Sequence, residues 1–209
     1  MSREADIATQ EGASAVGGFR MKGVLAGVLL GAAAGAAGTT MLNAVTYLDM
    51  VVRGRPASST PQDTVEALAK KAHISIPGYG EDRTNRVTGL GSLTGISAGV
   101  GTGALLGLAR AAGYRPGKVV SGLVASVVAL LGTNGPMTVL GVTDPRTWEA
   151  KDWVADVIPH LAYGFLTAVV LDYLDCGSGA WPGSEEPCNP IGSRSEAATS
   201  FTGRYTLGG

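Results

Sequence analysis

Four stretches of this chain are too long and too apolar to rest in water, and they decide the fold class before any motif is read. They cover residues 23–48, 87–109, 119–142 and 153–174. The first three carry no charged side chain, while the fourth holds Asp156, His160 and Asp172. Each is close to the ~20 residues that cross a bilayer core. A helix on a soluble protein keeps one polar face, whereas these runs are apolar around the whole wheel. Inside lipid, a helix is the only single-segment structure that satisfies its own backbone. The reading is an all-α membrane protein, a bundle of four transmembrane helices.

Charge balance narrows the partners. Sixteen basic and 17 acidic residues give a net charge of −1. Nucleic acid is therefore not expected as a partner, because phosphate binding needs a basic surface. The lipid bilayer is. Arg20 and Lys22 precede the first run as they would a signal peptide, but the run exceeds an h-region of about 7–15 residues. A retained first span follows. The chain then divides into a polar N-terminal segment (1–22), a four-span membrane domain (23–174) and a flexible tail (175–209) rich in Gly, Ser, Pro and Glu.

The loop between the first two spans holds a short amphipathic helix over 61–72. Thr60 is its expected N-cap, Pro61 suits the first turn, and Asp63 completes a capping-box-like pattern. Val65, Leu68, Ala69 and Ala72 share one face, so this helix is expected to rest on the bundle or the headgroups. Trp148 and Trp153 sit at interfacial height.

The chain has 32 glycines in 209 residues, about twice the usual ~7%. In the first span Gly23, Gly27, Gly31 and Gly35 recur every four residues. In the second, Gly91, Gly95, Gly99, Gly103 and Gly107 do the same. Residues four apart share a side of a helix. Each span thus carries a smooth stripe, a glycine zipper through which helices pack closely, within the chain or between copies. A groove for ligand or lipid is the other use of such a stripe. Ser121, Gly122, Ala125, Ser126 and Ala129 give the third span a small-residue face as well. Thr133-Asn134-Gly135-Pro136 then interrupts that span. Proline removes a backbone hydrogen bond and kinks a helix, so this point is expected to face the bundle interior.

Antiparallel geometry predicts a polar cluster. Let side A be the side where the first span begins, and side B the other. Asn43, Ser92, Thr94, Asn134, Asp156 and His160 then all fall within about 12 Å of the side B boundary at 1.5 Å per residue. The A-side half is expected to hold almost no such groups. Asp156 and His160 are four apart and share a face. They form either the floor of a proton-responsive vestibule open to side B or ordinary interhelical hydrogen bonds, with Asp156 capping a helix start. Asp152, Asp156 and His160 lack a third firm ligand and open position for a catalytic metal. No nucleotide loop, nucleophile elbow or zinc-protease motif occurs. No catalytic, cofactor or metal residue is assigned.

Of the two short loops, the A-side one is basic (Arg110, Arg115, Lys118) and the B-side one acidic. This favours both termini in the cytoplasm. Cys176 and Cys188 bracket a Gly/Pro-rich loop. They are either free cytosolic thiols or a disulfide, which would require an oxidising compartment.

Gly135-Pro136-Met137, then 140–145 (Leu-Gly-Val-Thr-Asp-Pro), Trp148, Trp153 and His160-Leu161 resemble YagU-type bacterial inner membrane proteins. The resemblance covers residues ~135–172 and, loosely, the first span. The long first loop and the cysteine-containing tail depart from it. The run 43–56 and the Ala/Gly-rich style are similar to hypothetical membrane proteins of high-GC actinobacteria. These resemblances imply a small multi-pass protein of the bacterial plasma membrane and supply no catalytic residues. The expected function is non-enzymatic: a structural or accessory membrane component, self-associating or bound to a membrane-protein partner. The alternative is a small-solute or proton pathway around His160.

Overall fold

A computed structural model describes the backbone of residues 2–178 and the side chains of residues 23–176. The described residues form five α-helices, one turn of 3-10 helix (Pro145–Thr147) and no strand: α1 (Ser2–Arg53), α2 (Thr60–Lys71), α3 (Gly80–Ala111), α4 (Lys118–Val139) and α5 (Ala150–Ser178). The flexible tail expected over 175–209 lies almost entirely outside the described residues.

Four of these helices carry segments long and apolar enough to cross a membrane: Gly23–Arg53, Gly80–Ala111, Lys118–Val139 and Ala150–Cys176. The chain is a multi-pass membrane protein. Three of the spans run past the apolar limits legible in the sequence because their ends are built from polar residues, whereas the third stops at Val139, short of the expected residue 142. Glu81 and Asp82 occupy the first turn of α3, and Asp152 that of α5, where negative charge meets the positive end of the helix dipole. At 1.5 Å per residue the 32 residues of α3 reach about 48 Å, well beyond a ~30 Å hydrocarbon core. The side B end of α3 therefore projects outward and carries α2.

α2 differs from expectation in two respects. Thr60 is its first helical residue rather than its cap. Ser59 takes the cap position because its carbonyl already accepts the Asp63 N–H at 3.0 Å, and the Ser59 hydroxyl donates to Asp63 at 2.9 Å. The buried residues are Thr64 and Val65, while Leu68 and Ala72 stay exposed. α2 meets α3 at its first turn, with Pro61 and Gln62 over Gly91, and again where Arg83 of α3 pairs with Glu66 at 2.6 Å.

Within the bundle, α1 is central. It packs extensively on α3 and α5; α4 packs on α5, and the α3–α4 seam is thinner. All neighbouring spans are antiparallel. Gly27, Gly31 and Gly35 of α1 face Gly107, Gly103 and Gly99 of α3. A methyl added at Gly27 would lie 2.8 Å from the Gly107 carbonyl oxygen, and one at Gly35 would lie 2.6 Å from that of Gly99. The remaining ladder glycines behave differently. Gly91 meets α2, Gly95 opens into empty space, and Gly23 is half-buried. Helix arithmetic explains this. Four residues turn a helix by about 400°, so a strict four-residue ladder precesses about 40° per step and cannot face one partner throughout.

A second small-residue seam joins α4 to α5. Ser121, Gly122, Ala125, Ser126 and Ala129 are buried, and a methyl on Gly122 would lie 2.8 Å from the Phe165 ring. The small face of α4 thus serves α5 and not the α1–α3 pair. Tyr163 fills the middle of the bundle. It is 1% exposed, sits beside Gly38 and Gly99, and donates from its hydroxyl to the Gly99 carbonyl at 2.6 Å. Tyr163→Phe is expected to cost about 0.6–1 kcal/mol, the range for one hydrogen bond in a membrane bundle or a protein interior. Thermal unfolding in detergent measures this as a small drop in Tm.

Candidate functional site

Two polar centres lie at opposite ends of the bundle. The B-side centre joins α4 to α5. Asn134 donates from Nδ2 to Asp156 Oδ2 at 2.6 Å. His160 Nδ1 lies 2.7 Å from the Asp156 carbonyl oxygen and 3.5 Å from the Asp156 carboxylate. His160 Nε2 lies 3.4 Å from the Thr133 hydroxyl, which itself reaches the Ala129 carbonyl at 3.0 Å. His160 is 9% exposed as a residue. The structure therefore brings together Asn134, Asp156 and His160 and adds Thr133, from the stretch expected to interrupt α4.

The other expected members are elsewhere. Ser92 and Thr94 are exposed on α3 and satisfy themselves on their own helix, through the Thr88 and Gly91 carbonyls at 3.0 and 2.8 Å. Depth in the membrane does not choose a face, and α3 turns its packed face to α1. Asn43 is half-buried on α1. Asp156 is not a helix cap. α5 begins at Ala150, and Asp152 takes that role, accepting the Glu149 N–H at 3.0 Å. Pro136 is exposed instead of facing the interior. It lies two residues, about 200° of rotation, past Asn134, so the same helix turns one residue inward and the other out. α4 continues through it to Val139.

The A-side centre corrects the expectation that this half is nearly free of polar groups. Arg110 is 5% exposed. Its guanidinium lies 3.3 Å from Asp172 and 3.6 Å from Asp175. Arg115 adds a contact to Asp175 at 3.4 Å, and Lys118 one to Asp172 at 3.2 Å. In the sequence these basic residues bear on orientation alone, and Asp172 is one charge inside a span. The signal was available: Asp172, Arg110 and Lys118 all fall at the side A level.

The side B loops are tied at the surface. Arg146 bonds Asp144 through its side chain at 2.9 and 3.0 Å and through its backbone N–H at 3.0 Å, which holds the Asp144 carboxyl below the usual carboxylate range. Trp148 and Trp153 meet edge to face, with centroids 5.1 Å apart. An open cleft of about 800 Å³ lies between α2 and the loop after it, walled by Glu66, Lys70, Ile74, Tyr79 and Arg83. It sits outside the bundle and does not reach either polar centre.

Among the described residues no group of three or more His, Cys, Asp or Glu is placed to hold a metal. Cys176 is disulfide-bonded, and Cys188 lies outside the described residues. Comparison with protein families, curated proteins and solved structures gives no match. The fold and its two polar centres define a four-span membrane bundle clamped at each end by interhelical polar contacts.

Proposed function

We propose that this chain is a non-enzymatic structural or accessory component of the bacterial plasma membrane, with α1 and α3 paired as a glycine zipper. The observation that supports this most directly is where the polar groups are used. Asp156 is occupied by Asn134 and His160, and Arg110 by Asp172 and Asp175. Both centres join helix to helix. The opening between α2 and its loop does not lead into either. The resemblance of residues ~135–172 to YagU-type inner membrane proteins agrees with this reading. Its partners would be the lipid bilayer and a membrane protein or a second copy of the chain. The four described spans would bring residues 23 and 176 to the same side of the membrane.

The competing reading is a small-solute or proton pathway through a vestibule at His160. It draws on the 9% exposure of His160 and the partial exposure of the Asp156 side chain, 22%. Proteoliposomes distinguish the two. The expected result is no proton or small-solute flux above protein-free vesicles. Flux that appears with the protein and disappears in His160→Ala would establish the pathway and remove the structural proposal.

A further inference from the structure

The hydrogen bonds around His160 constrain which ring nitrogen can carry a proton. Nδ1 lies 2.7 Å from the Asp156 carbonyl oxygen. A carbonyl only accepts, so Nδ1 must be the donor. A neutral ring then has a bare Nε2, which is an acceptor. Nε2 faces the Thr133 hydroxyl at 3.4 Å. That hydroxyl has one proton, and the backbone carbonyls of Ala129 and Leu130 lie 3.0 and 3.2 Å from the same oxygen. With its proton on the backbone, Thr133 can only accept from Nε2. A neutral ring is met only if the Thr133 hydroxyl turns its proton from the backbone to Nε2, whereas a charged ring is met with that proton left on the backbone.

Imidazolium satisfies every group while Thr133 keeps its backbone carbonyl. Nδ1–H donates to the Asp156 carbonyl, Nε2–H donates to Thr133, and Thr133 donates to Ala129. The Asp156 carboxylate, 3.5 Å from Nδ1 and steadied by Asn134 at 2.6 Å, balances the charge. We infer that His160 is a proton-operated clasp between α4 and α5. Protonated, it closes the network from Asp156 through His160 to Thr133. On losing the proton from Nε2 it keeps the Nδ1–H tautomer, and the Thr133 hydroxyl must either leave its backbone carbonyl or leave Nε2 unmet. Either way the α4–α5 bond at Thr133 is no longer charge-assisted, and it weakens.

The surroundings contain few other groups that could take this role. α4 carries no titratable side chain after Lys118, which lies at its side A end. The described part of α1 offers Tyr47, Asp49 and Arg53, and Asp49 is engaged by Arg53 and Arg55 at 2.6 and 2.5 Å. On α5 itself Asp152 lies two turns from His160, and the Tyr163 hydroxyl is turned to Gly99. α3 adds Glu81, Asp82, Arg83 and Arg86 at its side B end.

The test is side-chain nitrogen NMR of the full-length protein in nanodiscs, with ¹⁵N-labelled histidine, from pH 4.5 to 9.5. Histidine ordinarily changes charge between about pH 5 and 8, so the range brackets both forms. The chain has two histidines, and His73→Asn assigns the His160 signals. The expected result is that only Nε2 moves during the titration while Nδ1 stays protonated throughout. A neutral His160 in the Nε2–H tautomer, or a ring that never changes charge, overturns the inference. Amide exchange supplies the second readout. Corrected for the intrinsic rate, protection of residues 132–137 should fall several-fold as the ring becomes neutral. The step should be absent in His160→Gln, which cannot change charge, and in Thr133→Val, which keeps the ring and removes its hydroxyl partner. An undiminished step in whichever variant folds, or no step in the unmodified protein, also overturns it.

Discussion

Gly103→Leu is expected to destabilise the bundle by about 3 kcal/mol or more, at or above the top of the usual range for overpacking. The reason lies in what the new side chain would meet. A Cβ at Gly103 would sit 2.5 Å from Gly35 Cα and 2.7 Å from Gly35 N. These are backbone atoms of the neighbouring helix and cannot rotate away as a side chain can. α1 and α3 would have to separate along the stretch where Gly27, Gly31 and Gly35 oppose Gly107, Gly103 and Gly99. Between helices in lipid, that close packing carries the association, because no hydrophobic drive remains to replace it. Gly95→Leu is the matched control. It belongs to the same ladder in the sequence, but its position opens into empty space. It should change stability by no more than about 0.5 kcal/mol, as for a surface substitution. Unfolding titrations in mixed micelles compare the two directly. If Gly95→Leu proves as damaging as Gly103→Leu, the α1–α3 contact is not as described.

That contrast also shows what the sequence can and cannot tell. Apolar runs are a one-dimensional signal, and the four spans are legible because bilayer thickness imposes a length on each. The spacing of the glycines is legible too. Their partners are not, because a ladder of fixed step drifts around the helix, and only the crossing of two helices decides which rungs meet. Gly95 and Gly103 are indistinguishable as letters. The polar residues teach the same lesson. Depth placed Ser92, Thr94, Asn134, Asp156 and His160 together, but helix rotation separated them. Asn134 and Asp156 meet at 2.6 Å, whereas Ser92 and Thr94 bond their own backbone. Tyr163 was passed over because an aromatic in an apolar run carries no periodic signal. Its place follows from the space left by Gly38 and Gly99 on two other helices.

The A-side ion cluster gives the second large effect. Arg110 is almost wholly buried, so its charge is tolerable only while Asp172 and Asp175 oppose it at 3.3 and 3.6 Å. Neutralising both acids, as Asp172→Asn with Asp175→Asn, leaves a cation in a poorly solvated site. Breaking a buried pair in this way costs about 3–5 kcal/mol. The penalty comes from the stranded charge and not from the lost contacts, and a third substitution can separate the two. Arg110→Met, added to the double variant, removes the cation while keeping an unbranched apolar stem. It also removes the Arg110 Nε, which is buried and makes no hydrogen bond among the described residues. The triple variant is therefore expected to recover most of the loss, because no buried charge is left without an opposing one. The same unfolding titration, together with yield of inserted protein from membranes, reads all three. A triple variant as unstable as the double would mean that the contacts, not the charge, hold α3 to α5. A double variant as stable as the unmodified protein would mean that water reaches Arg110.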